Sequence, residues 1–200
     1  MRRWLPALCV MLAVSMSGLP WHHGQAQVSS PEPLYRGRPF EAWSRDLGEG
    51  TPMIRERAVV ALCEFEAPAV PLLIGAIGDQ DFNVRTLAIF CLGRMGPKAK
   101  DAVPVLVKTL EDRDWIVRRY AAAALGMLES TAADSAPALA RAAVEDPEAG
   151  VRQTAKLALG RLGPEARQTA KEVLQQTSVA GSDEAVKTRA LELLREMEQR

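Results

Sequence analysis

The sequence predicts an all-α solenoid, a superhelix of about five helix pairs, and three observations carry that prediction. A β-branched residue followed by a basic one recurs at Ile54-Arg55, Val84-Arg85, Val117-Arg118, Val151-Arg152 and Val186-Lys187. Each is followed by the same pair of small and large apolar residues, from Ala58 and Leu62 in the first unit to Ala190 and Leu194 in the last. Successive basic residues are 30, 33, 34 and 35 positions apart, the period of stacked helical pairs. Strand signals are absent, and a chain 48% hydrophobic but only 5% aromatic has the small residues that let neighbouring helices approach closely.

Within each unit, the turn before the motif carries an acid four residues ahead of the basic residue: Asp81, Asp114, Glu148 and Asp183, with Thr51 in that place in the first unit. An aspartate there accepts from the free N–H groups of the coming helix and suits its positive end. The recurrence of Asp81 with Arg85, Asp114 with Arg118 and Glu148 with Arg152 predicts a ladder of acid–arginine pairs running from repeat to repeat. A second helix fills the space between motifs. Pro71, Pro104 and Pro137 fall in its first turn, where the missing N–H has no partner to lose. Behind them Val103, Leu106, Val107 and Leu110 recur at i, i+3, i+4 and i+7, which marks one buried face. Leu92-Gly-Arg-Met-Gly-Pro returns as Leu159-Gly-Arg-Leu-Gly-Pro, and Gly96 and Gly163, each followed by proline, read as helix C-caps.

The pattern from Asp81 to Gly96, repeated from Asp114 to Leu128 and from Glu148 to Gly163, resembles the HEAT-repeat family, in particular the short repeats also found in the lyase subunits that attach bilin pigments to phycobiliproteins. The resemblance covers roughly Arg38 to Arg195 and implies a solenoid scaffold. Cys63 stands where the other units have Gly93, Gly126 and Gly160, and the last unit has Lys187 for arginine and Leu194-Arg195 for Leu-Gly. Terminal repeats depart in this way because one face meets water.

The N-terminus reads as an export signal. Arg2 and Arg3 form a basic start, Leu5 to Val14 an apolar core, and Gly24-Gln-Ala26 a cleavage site. Cleavage after Ser17 is the second choice, and a retained anchor the competing reading, although the apolar stretch is shorter than the roughly 20 residues a span needs. Cys9 lacks the small preceding residue of a lipid-attachment site. The expected organisation is a signal peptide over 1–26, a flexible tether over 27–37 and the repeat array over 38–200. Without Arg2 and Arg3, 23 of the 25 basic residues face 25 acidic ones. That balance argues against nucleic acid as a partner, which needs a surplus of cations. No membrane contact is expected once the signal is removed.

Catalytic groups are scarce. The only histidines, His22 and His23, fall before the main cleavage site, where a polar leader segment is the simpler reading than a metal site. No cofactor or metal is expected, and the chain reads as a non-enzyme. Cys63 and Cys91 fall on consecutive inner helices. Helix axes are usually 8–10 Å apart and a disulfide needs Cα atoms within about 7 Å, so two small buried thiols are the expectation, with pairing the alternative. Glu64, Glu66, Asp79 and Asp81 are close in sequence and read as separate acids in solvated turns.

Counting from each basic residue, the places +1, +2, +5 and +9 should point away from the stack and line a concave face. The central units put Leu87, Phe90 and Arg94, then Arg119, Tyr120 and Met127, then Leu157 and Arg161 there, with Phe82 and Trp115 extending the strip. Exposed apolar and aromatic residues beside arginine are the composition of a binding face. The alternative is that Leu87, Phe90 and Tyr120 bend into the gaps between repeats. The sequence therefore predicts a protein- or peptide-binding scaffold in the bacterial cell envelope. The resemblance adds two other readings, an accessory subunit of the bilin-lyase type and a structural module of a larger complex.

Overall fold

The structure, a computed structural model, describes residues 33–181 and 183–199. The segments expected to be signal peptide and most of the tether, with His22, His23 and Cys9, lie outside them. Among the described residues, ten α-helices form five antiparallel pairs: α1 (Phe40–Glu49) with α2 (Pro52–Cys63), α3 (Val70–Ala76) with α4 (Phe82–Met95), α5 (Val103–Thr109) with α6 (Trp115–Met127), α7 (Ala136–Glu145) with α8 (Ala149–Leu159), and α9 (Pro164–Ala180) with α10 (Glu184–Glu198). The repeated alanine and leucine of the motif are buried in every pair and run as one continuous core.

The turns follow from residue type. Asp81, Asp114 and Asp183 cap α4, α6 and α10 by accepting from the backbone N–H two residues on, as expected; Glu148, one methylene longer, makes no such bond to α8. At the other end, the residue eleven places after each of the first four arginines has positive φ: Glu66, Gly96, Glu129 and Gly163. Glycine takes that conformation without strain; Gly96 is the C-cap of α4 as expected, whereas the C-cap of α8 is Gly160 and Gly163 is instead the N-cap of α9. Pro71, Pro104 and Pro137 lie in the first turns of α3, α5 and α7.

One element was not legible in advance. Leu34–Tyr35 and Arg38–Pro39 pair as a two-stranded antiparallel hairpin, although the sequence shows no strand signal and residues up to 37 read as tether. Its loop is Arg36-Gly37, both with positive φ, the turn whose twist matches a hairpin. Two-residue strands are too short to alternate, so periodicity cannot reveal them. The hairpin is held by Trp43, whose Nε1 donates to the Tyr35 carbonyl at 3.3 Å while Arg38 stacks over its ring at 4.1 Å.

The even-numbered helices α2, α4, α6 and α8 lie directly against one another, whereas α3, α5 and α7 meet through the 3₁₀ turns that precede them. The tighter layer is the inner, concave one. Its closeness has a fixed device: the residue at +8 of one unit meets the residue at +6 of the next. A Cβ on Gly93 would sit 3.1 Å from the Ala124 Cα, and one on Gly126 only 2.9 Å from the Ala158 Cα and Cβ. A methyl group on Gly126 would collide with the facing backbone, and one on Gly93 would be tighter than ordinary contact. At the first joint the same two places hold Cys63 and Cys91, which form a disulfide with Cα atoms 5.5 Å apart. The expectation of two free thiols is thus corrected. An average axis separation does not apply where helices cross at a Gly–Ala contact.

Candidate partner-binding face

The arginines build the frame on which this face stands, and they do so differently from the expected ladder. No ion pair forms between Asp81 and Arg85, Asp114 and Arg118, or Glu148 and Arg152. Each arginine instead folds back on its own turn. Nη1 of Arg85 donates to the carbonyls of Asp79 and Gln80, that of Arg118 to Asp112 and Arg113, and that of Arg152 to Asp146 and Pro147. The carboxylate partner comes from the following unit. Arg55 reaches Asp79 through Nε and Nη2, both at 2.7 Å, and Arg118 reaches Asp146 at 2.7 and 2.9 Å. The bridging acids are therefore Asp79 and Asp146, two residues before the caps, and each also accepts the N–H two residues on. A four-residue spacing within one turn pointed to the wrong acid because the arginine spans two turns. The middle rung differs: Arg85 is buried, and its Nε has no hydrogen-bond partner among the described residues.

The Arg55 hydrogen bonds hold the Asp79 carboxyl below its ordinary value, against the opposing effect of burial. The Asp146 carboxylate likewise raises Arg118. A carboxyl whose folded value is depressed contributes stability that is complete above its unfolded value, near 3.8, and lost as pH falls through the lower folded value. Asp79→Asn should therefore cost about 1–2 kcal/mol at pH 7 and less at an acidic pH well below 3.8. Chemical denaturation at the two pH values reads this directly, and an equal cost at both would remove the charge from the explanation.

The four acids close in sequence have separate tasks: Glu64 pairs with Arg94 at 3.6 Å, Glu66 with Lys98, Asp79 with Arg55, and Asp81 caps α4.

On the concave layer the structure divides the expected strip. Phe90 on α4 is 42% exposed and Leu157 on α8 is 58% exposed, both at +5; Met127 at +9 of α6 and Trp115 at its start are exposed as well. Leu87 and Tyr120, at +2, are instead half-buried against the core, so they lean between helices rather than stand outward. Phe82 leans inward in the same way, under the Arg85 guanidinium. Arg94, Arg119 and Arg161 lie exposed along the same strip, Arg119 stacked on Trp115 at 5.4 Å. Ala123, Met127 and Leu157 line a shallow depression of about 170 Å³ with Arg161 at its edge. The strip runs further toward the N-terminus than the sequence suggests. Exposed Val60 borders an open cleft of about 530 Å³ shared with Tyr35, Trp43 and Arg57. Tyr35 fell in the presumed tether, so only the hairpin brings it here.

The HEAT-repeat family model matches residues 46–119 and 103–195. The chain belongs to the HEAT-repeat family. Among curated proteins no sequence matches. Among solved structures, an engineered protein superposes with a TM-score of 0.57 at 22% identity, over 82% of this chain and 80% of that one. The CpcE–CpcF complex of phycocyanin lyase from Nostoc sp. PCC7120 is similar, with TM-score 0.52, 25% identity, and 77% and 96% coverage. A computationally designed armadillo repeat protein for modular peptide recognition gives 0.56 at 18% identity, covering 78% and 81%. These likenesses concern the fold.

Proposed function

We propose that this chain is a non-enzymatic scaffold of the bacterial cell envelope that holds a protein or peptide along the concave layer of its HEAT array. The observation that carries the reading is the line of exposed Phe90, Met127 and Leu157 on three successive inner helices, flanked by exposed arginines. A few desolvated apolar anchors supply most of the energy of an interface, and arginine at the rim orients acidic groups. The likeness to an armadillo design for modular peptide recognition supports an extended polypeptide as ligand. Affinity capture from envelope extract tests it. Phe90→Ala should weaken capture by about 2 kcal/mol with helical circular dichroism intact, while Lys108→Ala on the outer layer does little. Loss on the outer change with none on the inner would move the binding surface to the convex side.

Export is part of the proposal, supported by the basic start and apolar core of the leader and by a disulfide, which persists in oxidising compartments. Mass spectrometry should find the mature N-terminus at Gln27, or at Gly18 if the second site is cut. A full-length cytoplasmic chain with free thiols would sink it. A second reading, an accessory of the bilin-lyase type, rests on the likeness to phycocyanin lyase; visible absorption after incubation with bilin would favour it.

A further inference from the structure

The joint that closes every inner contact is broken at the last one. Gly160 holds the +8 place of the fourth unit, but a Cβ added there would meet only the Leu157 carbonyl of its own helix, at 3.4 Å. The facing +6 place, alanine in the two units before, is Leu193. A leucine is too bulky for a place that in the two preceding joints holds an alanine packed directly on glycine. Accordingly α10 packs on α9 and against the end of α7, where Arg189 Nε donates to the Val144 carbonyl at 2.7 Å, and does not stack on α8. What remains is a cleft of about 330 Å³ between α8, α9 and α10.

Its lining is mixed. Leu157, Leu159, Leu193 and Met197 make an apolar floor, while Gln153, Arg167 and the Lys156–Glu196 ion pair, at 2.8 Å, stand around it. The Lys156 charge is answered by Glu196. Arg167 is half-buried, donates through Nε to the Gly163 carbonyl at 3.3 Å, and makes no ion pair among the described residues, the Glu196 carboxylate of the same cleft being taken by Lys156. A site that joins an apolar floor to a partly shielded, unanswered guanidinium complements an apolar group with a carboxylate beside it. We propose that this cleft binds the C-terminal residue of a peptide, its bulky apolar side chain on the leucine floor and its carboxylate on Arg167. Exposed Gln153 at the rim offers a side-chain amide that can hydrogen-bond to a peptide backbone and has nothing to meet on an alkyl chain. The assignment rests on the reading of the inner face as a peptide-binding surface, which Leu157 shares, and places the peptide's end at α10.

The smallest probe is N-acetylphenylalanine, with its amide as the uncharged control, followed through the methyl NMR signals of Leu157, Leu193 and Met197 in the full chain. Saturable shifts are expected with a dissociation constant on the order of 1 mM, and about ten-fold weaker binding of the amide. Arg167→Gln should abolish the preference for the acid. Gly160→Leu, which fills the cleft at ordinary backbone angles, should abolish the shifts with circular dichroism unchanged. Phe90→Ala should leave them as they are. The assignment is overturned by absent or unsaturable shifts, by equal binding of acid and amide, or by octanoate binding as tightly as the probe. If the probe fails while Phe90→Ala still weakens capture of a longer partner, the face stands and the cleft falls alone.

Discussion

Breaking the Cys63–Cys91 disulfide is expected to lower the stability of the array by about 3.5 kcal/mol. The bond closes a loop with a sequence separation of 28, and a cross-link of that span restricts the unfolded chain by roughly that amount in the loop-entropy model. The two cysteines occupy the places that elsewhere hold glycine and alanine, so the double variant Cys63→Gly/Cys91→Ala rebuilds the joint used by Gly93 with Ala124. It should fold with the same helix content and a lower denaturation midpoint, which separates the covalent link from the packing. Because each repeat contacts only its neighbours, the loss should be local. Hydrogen exchange should accelerate first in α1 and α2 and least in α7 to α9. A midpoint unmoved by reduction, or exchange that rises evenly along the chain, would contradict this account.

The parts of the molecule readable from sequence are those set by local spacing. The arginine period, the capping aspartates Asp81, Asp114 and Asp183, and the C-cap Gly96 are each decided within a few residues of themselves, and each stands where the pattern puts it, while Gly163 has the expected positive φ but opens α9 instead of closing α8. Apart from the hairpin at Leu34–Pro39, whose strands are too short to alternate, the main misreadings involve a contact between units. Arg118 finds Asp146, 28 residues on, rather than Asp114 beside it. The frame held a usable signal all the same: Asp79, Asp112 and Asp146 recur six places before their arginines as regularly as the capping residues do. The disulfide was legible in the same frame, since Cys63 replaces the repeat's glycine and Cys91 its alanine. Helical periodicity alone cannot separate Phe90, which stays exposed, from Leu87 and Tyr120, which lean inward, because that depends on the volume left between neighbouring helices. The cleft at α10 follows from one substitution, Leu193 for alanine, whose effect appears only once the joints of the earlier units have been seen to be closed.

Replacing Arg118 by alanine should cost about 3 kcal/mol, well above its counterparts in other units. Its side chain and that of Asp146 are 12% and 5% exposed, so truncation leaves a carboxylate buried with only the Glu148 N–H still bonded to it. Losing one member of a buried pair costs far more than the pair contributes net, because the remaining charge has been taken from water without an answer. Arg55 and Asp79 have side chains 18% and 14% exposed, and water can partly replace what is lost there, so Arg55→Ala should cost less. Among the described residues Arg152 holds only the carbonyls of Asp146 and Pro147, and its loss should cost about 1 kcal/mol. The order Arg118, Arg55, Arg152 is the test, read from urea midpoints at neutral pH. A double-mutant cycle of Arg118→Ala with Asp146→Ala should return most of the first variant's loss as coupling energy. Three equal costs, or additive effects in the cycle, would mean that the arginines act through their own turns alone and that no charge passes from one repeat to the next.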